Sequence, residues 1–568
     1  MSPRVTPALV LGLVSILTAT GQSRQAPPAL LVTTAEATGF KATSNYESVV
    51  QLMKAAASLS PVIFYTTYGT TFEGRDMPLA VVGTGLKDPG PAAVRATGRL
   101  RVHIQANVHA GEVEGKEAAQ ILLREFALGQ HADWLQSMVF LISPIYNADG
   151  NERFSLTNRG RQHGPIWGMG TRNQAQNMNL NRDFMKLDTP EGKATAGLWV
   201  DYDPHVGFDL HTSNGSNHAY YLTYSPPLHP NTSDAIMRIM KDEWFPFVTK
   251  QVKAKHRWDM FYYGNVEGGA GRGGRAGAGG RAGGGAAGAG GRAGGAAPPP
   301  PPPPADPAPA GPRAWGTFEH VPRFHNNYVG LRNRFALLSE AYSYATFEDR
   351  IKATNYFMEE ALAFAHQHAG TLKDAVLSAD REVIVGQELA TRAQKKSGGL
   401  IEILMGEVED DPNPVNGLMM NRRRDVVRAE KMIDRLWFEP TLTELVPAEF
   451  YVPADATRAL ELLRRHGIQL RQVAKPVTGV EAFAITGNTT SQAGGEMGPH
   501  QPRRLEGAWQ PATTGVPAGA WAVPMTQPLA RLAFSLLAPT SDDGLTNWNY
   551  LDEFLKDAKT YPVLRRVK

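Results

Sequence analysis

Apolar and polar positions recur along this chain with two different periods, and the switches between them outline its elements. From Tyr46 the apolar residues Val49, Val50, Leu52, Met53, Ala56 and Leu59 fall at helical spacing with Ser44 placed to cap them, and 61–68 reads as a strand. Over 100–108 the even positions Leu100, Val102, Ile104, Ala106 and Val108 are apolar, while Arg101, His103, Gln105 and Asn107 are polar, which is the period of a strand ending at His109. A helix is predicted over 115–128, buried strands over 138–146, 206–210 and 335–344, and an amphipathic helix over 347–368. Strands alternating with helices predict an α/β fold with a mixed, largely parallel sheet flanked by helices and a ligand site at the carboxyl ends of its strands.

Beyond residue 370 the pattern predicts a separate α/β module, with strand, helix and strand over 449–473 and helices over 529–537 and 548–555. No chemistry attaches to it. The stretch 268–313 breaks the pattern with 17 Gly and 10 Pro in 46 positions, including seven consecutive Pro. Such composition cannot pack a core and is expected to form an exposed insertion. At the other end a short basic start, an apolar run over 7–18 and small residues to Gly21 have the form of a signal peptide. The expected organisation is therefore a signal over 1–21, a leader over 22–45, a catalytic domain over 46–369 with its insertion, and the module over 370–568.

Composition narrows the chemistry. The 568 residues include no Cys, so thiol nucleophiles, disulfides and Cys-ligated metals are excluded and any metal must sit on His, Asp or Glu. The formal charge of +3 suggests an anionic partner, but the 268–313 stretch holds five Arg against one Asp, and the rest of the chain stands at −1. That stretch has no aromatic residue for bases to stack on, so no nucleic-acid partner is expected.

In Asn107-Val-His-Ala-Gly-Glu112, His109 and Glu112 stand three apart between a strand and a helix, which brings an imidazole and a carboxylate toward one point. A catalytic zinc with three protein ligands needs one more, and His211, ending the strand of Phe208-Asp-Leu-His211, is the natural third. Between His109 and His211, Pro144-Ile-Tyr-Asn-Ala-Asp-Gly150 follows the next strand and Asn179-Leu-Asn-Arg-Asp-Phe184 comes about thirty residues later, while Tyr68-Gly-Thr-Thr-Phe-Glu-Gly-Arg-Asp precedes them all. In order and spacing these motifs resemble the zinc carboxypeptidase family from Tyr46 to about His368.

The resemblance implies one zinc per chain on His109, Glu112 and His211, and a substrate carboxylate held by Asn181 and Arg182. It implies a general base on a late strand, for which Glu340 is preferred over Glu348, since Thr346 to Asp349 already has the form of a helix capping box. Arg172, with Arg159 in reserve, is the expected oxyanion stabiliser. Tyr328 is a possible substrate-closing phenol, with Tyr262 and Tyr263 equally placed. Two departures stand out: the family has Asp where Asn179 stands, which should weaken the metal site, and the pocket-wall position that selects the substrate side chain falls close to the insertion, which leaves the side-chain preference open. His163, His205 and His218 read as polar loop residues rather than ligands. The expectation is an exported, periplasmic or extracellular zinc metallocarboxypeptidase that cleaves C-terminal peptide bonds of peptides or proteins without stable membrane insertion. The rivals are a zinc amidohydrolase acting on N-acyl amino acids and a catalytically silent binding module.

Overall fold

A computed structural model describes residues 28–213, 215–268, 313–492 and 495–567. The expected signal over 1–21 and nearly all of the insertion lie outside the described residues. The first ten strands are β1 (Ile63–Thr70), β2 (Asp76–Val82), β3 (Leu100–Ala106), β4 (Met138–Ser143), β5 (Val206–Ser213), β6 (Leu222–Ser225), β7 (Met260–Tyr262), β8 (Asn265–Glu267), β9 (Ala314–Gly316) and β10 (Phe335–Tyr342). Eight of them form one sheet in the order β1-β2-β4-β3-β5-β10-β6-β7. Its centre, β4-β3-β5-β10, is parallel throughout, and antiparallel pairs flank it. The mixed α/β architecture with a mostly parallel sheet is therefore present.

Burial follows from the layers. In β3 the polar alternate positions are as buried as the apolar ones, because elements cover both faces of the sheet. These polar groups find partners inside: His103 Nε2 lies 2.9 Å from Ser143 Oγ, and Gln105 Nε2 donates to Asp209 Oδ1 at 3.2 Å. Asp203, just before β5, ties the amino ends of two neighbouring strands by accepting from Arg101 of β3 at 3.0 Å and from Arg334, one residue before β10, at 2.7 Å.

The helix Tyr46–Leu59 forms as expected, but Asn45 caps it by accepting from Ser48 N at 2.8 Å. Ser44 is drawn instead to the buried carboxylate of Glu117, to which both its amide and its hydroxyl donate. The expected helix over 548–555 shrinks to Asp552–Leu555.

The C-terminal region is rich in sheet. β11 (Glu388–Lys396) pairs with β14 (Trp437–Leu445), while β12 (Leu400–Pro412) and β13 (Met419–Arg435) form a long hairpin. β13 continues onto β9, and β9 onto β8, so the two ends of the insertion meet as antiparallel neighbours, with Glu267 opposite Ala314. A six-stranded antiparallel sheet follows from β15 (Glu449–Val452), β16 (Arg471–Gln472), β17 (Glu481–Thr490), β18 (Arg503–Pro511), β19 (Trp521–Pro524) and β20 (Leu564–Arg566). One continuous buried cluster joins Leu180, Trp199, Tyr328 and Leu331 to Leu463, Phe534 and Trp548, so the region after residue 370 shares a core with the region before it.

Candidate metal and substrate site

The site gathers at the carboxyl ends of β3 and β5. After Ala106 the chain reverses through Asn107, which adopts a left-handed φ of 64° and whose side-chain amide reaches the carbonyls of Ala110 and Glu112. Asn is among the few residues that tolerate this conformation with little cost. The turn closes with Glu112 N donating to His109 O at 2.9 Å, and the helix Glu114–Ala127 starts immediately after. Gly115 lets that helix sit directly on β5: a Cβ there would lie 2.6 Å from Leu210 Cβ.

His109 Nδ1 lies 3.0 Å from Glu112 Oε1, and His211 Nδ1 lies 2.8 Å from Glu112 Oε2. The ligand atoms of His109, Glu112 and His211 all fall within 4.8 Å of one another, and all three residues are buried. The outer nitrogens are separately engaged: His109 Nε2 with Asn179 Oδ1 at 3.0 Å, and His211 Nε2 with Asp209 Oδ2 at 2.8 Å. Both outer partners accept an Nε2–H, so the two Nδ1 atoms are the ones aimed at the centre, where a bound metal would take their lone pairs.

The electrostatics point the same way. Burial opposes a positive charge on His211, yet Asp209 and Glu112 on either side outweigh it and raise its pKa well above the usual imidazole value. Burial likewise opposes ionisation of Glu112, but the neighbouring His109 and Arg159 overcome it and hold its pKa well below the usual carboxylate value, while burial and the Arg172 charge lower the pKa of His109 to about 4. Two nitrogens and a carboxylate in a pocket that demands positive charge fit a zinc ion in both donor type and number. A second group, His256, Glu359 and Glu360, also brings ligand atoms together, but Lys255 already neutralises Glu360 at 2.7 Å.

Glu340 stands on β10 opposite His211 in register, beside this centre. Its carboxyl has no hydrogen-bond partner among the described residues, and burial raises its pKa to about 8, with the His211 charge opposing and the Glu112 charge adding to the shift. Glu348 is occupied elsewhere: it pairs with Lys352 at 2.6 Å in the first turn of the helix Phe347–Gln367, where Thr346 caps by accepting from Asp349 N at 3.1 Å.

Arg172 approaches from the more open side, with Nη1 3.3 Å from His109 Nδ1 and 3.7 Å from Glu112 Oε1. Arg159 comes closer to Glu112 Oε1, at 2.9 Å, and its other arm donates to Thr212 O at 3.0 Å, which makes it a brace for the Glu112 carboxylate. Arg182 lies over the Phe324 ring at 4.0 Å and donates to Asn181 O at 2.7 Å. Burial, with the repulsion of Arg172 and Arg323, lowers its pKa to about 9, and it forms no ion pair among the described residues. An electropositive, desolvated guanidinium of this kind is matched by an incoming carboxylate. Asn181 is held beside it by His325 N, which donates to Asn181 Oδ1 at 3.2 Å.

Tyr328 does not serve as the substrate-closing phenol expected of it. It is fully buried among core residues, and its hydroxyl is taken up by His466 Nδ1 at 3.0 Å and Arg332 Nη1 at 3.1 Å. Of the tyrosines placed equally with it, Tyr263 stands where the negative charges of Glu340 and Glu112, after burial itself, raise its pKa. Tyr262 packs instead against Tyr224 and Phe245. His163 pairs with Asp411, and His205 and His218 are buried; none of the three joins the metal cluster.

The 144–150 motif proves to be a brace. Asp149 of the 144–150 motif accepts from Thr71 Oγ1, Glu73 N and Arg75, so it holds the turn between β1 and β2. Asn147 donates to the carbonyls of Val108 and Arg172, and so stitches the ligand loop to the arginine loop. Sequence reasoning missed Asp209, although an Asp two before a His on one strand must share its face. It also missed Glu496, whose distance along the chain left no signal.

Residues 49–225 match the zinc carboxypeptidase family. Carboxypeptidase 2 of Trichophyton rubrum is 24% identical over 225 residues, covering 37% of this chain and 38% of the relative. Probable carboxypeptidase 2 of Trichophyton verrucosum is also 24% identical over 225 residues, covering 37% of this chain and 39% of its own. The match thus spans less than two-fifths of these curated relatives. Among solved structures, a metallo-carboxypeptidase from Burkholderia cenocepacia aligns with a TM-score of 0.37 at 16% identity, over 57% of this chain and 69% of its own. A metallo-carboxypeptidase from Pseudomonas aeruginosa in complex with (2-guanidinoethylmercapto)succinic acid aligns with a TM-score of 0.38 at 13% identity, over 58% and 70%. His109, Glu112, His211 and the Asn181–Arg182 pair all lie inside residues 49–225, the span over which the chain is similar to the zinc carboxypeptidase family.

Proposed function

We propose that this protein is an exported zinc metallocarboxypeptidase that removes the C-terminal residue of peptides or proteins. The observation that carries the reading is the convergence of His109 Nδ1, Glu112 and His211 Nδ1 beside a Glu340 carboxyl with no hydrogen bond and an Arg182 with no ion pair among the described residues. Zinc held by the three ligands supplies Lewis-acid polarisation of the scissile carbonyl and makes a water more acidic.

The chain's own residues do the rest. Arg182 and Asn181 receive the terminal carboxylate and thereby fix which peptide bond is presented. Glu340 takes the proton of the attacking water and delivers it to the leaving amine, a role for which a carboxyl held between burial and nearby cations is well placed. Arg172 faces the developing oxyanion, and the Tyr263 phenol stands on the Glu340 side to close over the substrate. On this reading catalysis belongs to 46–369, and 1–21 directs export; among the described residues no helix is long and apolar enough to cross a membrane.

The test is incubation of the full chain, loaded with zinc, with a mixed peptide pool read by mass spectrometry. Loss of single C-terminal residues that stops on chelation and returns with zinc is expected. Release of acyl groups from N-acyl amino acids with peptides untouched would transfer the assignment to an amidohydrolase, and inertness toward both would leave a binding module.

A further inference from the structure

The region after residue 370 reaches into the metal site at one point. The short helical turn Gly495–Met497 brings Glu496 against Asn179, whose backbone N donates to Glu496 O at 3.1 Å and whose Nδ2 donates to Glu496 Oε2 at 2.9 Å. The segment is pinned on the same side further along: Gly498, at φ 77°, passes so close to Met178 that a Cβ would meet its sulfur at 2.9 Å. His500 Nε2 then lies 2.9 Å from Asp188 Oδ2.

These contacts determine which way the Asn179 amide points. Its Oδ1 accepts from Asn181 N at 2.9 Å, and a backbone N–H can only donate. Its Nδ2 faces a carboxylate, which can only accept. The oxygen that meets His109 Nε2 is therefore the amide oxygen, and the chain of donors runs from His109 Nε2–H to Asn179 Oδ1 and from Asn179 Nδ2–H to Glu496. A neutral amide alone is a weak partner for a ligating histidine. A carboxylate pulling on the far side of that amide polarises it and increases the electron density on its oxygen.

We propose that Glu496 is a positioning residue for the metal site: through Asn179 it supplies the negative charge that orients His109 and strengthens it as a ligand. The C-terminal region thus completes the zinc site of a domain that lies before it in the sequence. Arg172 Nε, 3.5 Å from Glu496 Oε1, is held by the same carboxylate, so one side chain aligns both the ligand relay and the cation facing the substrate.

The inference rests on the metallopeptidase reading, and the full-length protein separates the two. Zinc affinity is measured by competition with a chromophoric chelator for the wild type, Glu496→Gln, and the double variant Glu496→Gln with Asn179→Asp. Gln keeps the shape and can still accept from Asn179, and unfolding of the metal-free variants checks that the fold persists. Glu496→Gln is expected to weaken zinc binding about tenfold, within the range seen when groups behind metal ligands are altered. The added Asn179→Asp, which puts a carboxylate directly on His109, is expected to restore most of that loss. KM for a peptide should change little, while the zinc concentration needed for half-maximal activity rises. Equal zinc affinity in wild type and Glu496→Gln would overturn the proposal, as would a double variant no tighter than the single one. A lower KM with unchanged zinc affinity would also overturn it, since that would make Glu496 a competitor for the substrate carboxylate. A wild-type chain that takes up no zinc would overturn the metallopeptidase reading itself.

Discussion

At the scale of single residues, the site is a set of charges that burial would forbid unless each had a partner. Glu112 is tolerated because two histidines and Arg159 surround it, and Asp209 because it faces His211; burial opposes its ionisation, but the His211 and His325 charges outweigh it and bring its pKa down to about 2. Glu340 is the exception, a carboxyl with no hydrogen-bond partner among the described residues, and an unpaired acid beside a metal site is free to move a proton. Glu340→Gln should leave zinc content unchanged and lower kcat about a thousandfold, a typical cost of losing a general base. Zinc content by elemental analysis alongside turnover checks this, and near-normal turnover would remove Glu340 from the mechanism. His109 and Glu112 stand out because they lie three apart in one turn, and His211 because it ends a strand, but it is the family resemblance that groups the three as candidate ligands. Tyr328 was misread because the core, not the site, claims its hydroxyl through His466, a residue 138 positions away.

At the scale of elements, geometry is set by how closely the helix Glu114–Ala127 lies on β5. Helix propensity favours Ala over Gly by about 1 kcal/mol, but a Cβ on Gly115 would collide with Leu210 at 2.6 Å. Because overpacking costs about 1–3 kcal/mol, the clash should win. Gly115→Ala is expected to destabilise the protein in urea unfolding and to weaken zinc binding by shifting Glu112 from His211, and a stabilised variant would refute this account. The strand ends carry a pH dependence through Asp203. Burial opposes its ionisation, yet Arg334 and Arg101 hold its pKa below the usual aspartate value. Its contribution is present above the unfolded pKa of about 3.9 and is lost as the pH falls through the lower folded value. Asp203→Asn should therefore be less stable than wild type at pH 7, with the gap closing toward pH 3. The existence of these elements was legible from periodicity, while their ends were not. β5 runs on through His211 to Ser213, and Asn45 replaces Ser44 as a cap because the buried Glu117 takes the serine.

At the scale of the whole molecule, the region after residue 370 is not a freely appended unit. The helix Thr457–Arg465 contributes Leu463 to the same buried cluster as Trp199 and Tyr328. Leu463→Ala should cost about 2–5 kcal/mol, and if the core is shared, the metal site and the C-terminal sheets should melt together in one transition. Two well-separated transitions, monitored by zinc release and by intrinsic fluorescence, would show the cores to be independent.

Local patterns by themselves determined the alternating strands and helices, the absence of thiol chemistry, and the approach of His109 to Glu112, because each depends on residues close in sequence or on a strand's period; His211 joined them as a candidate through its strand end and the family resemblance. Tertiary structure alone decided that Tyr263 rather than Tyr328 stands near Glu340, that Asp209 backs His211, and that Glu496 backs Asn179. Those relations depend on which distant surfaces bury against each other, and a hydrogen bond spanning 317 positions leaves no periodic trace in the chain.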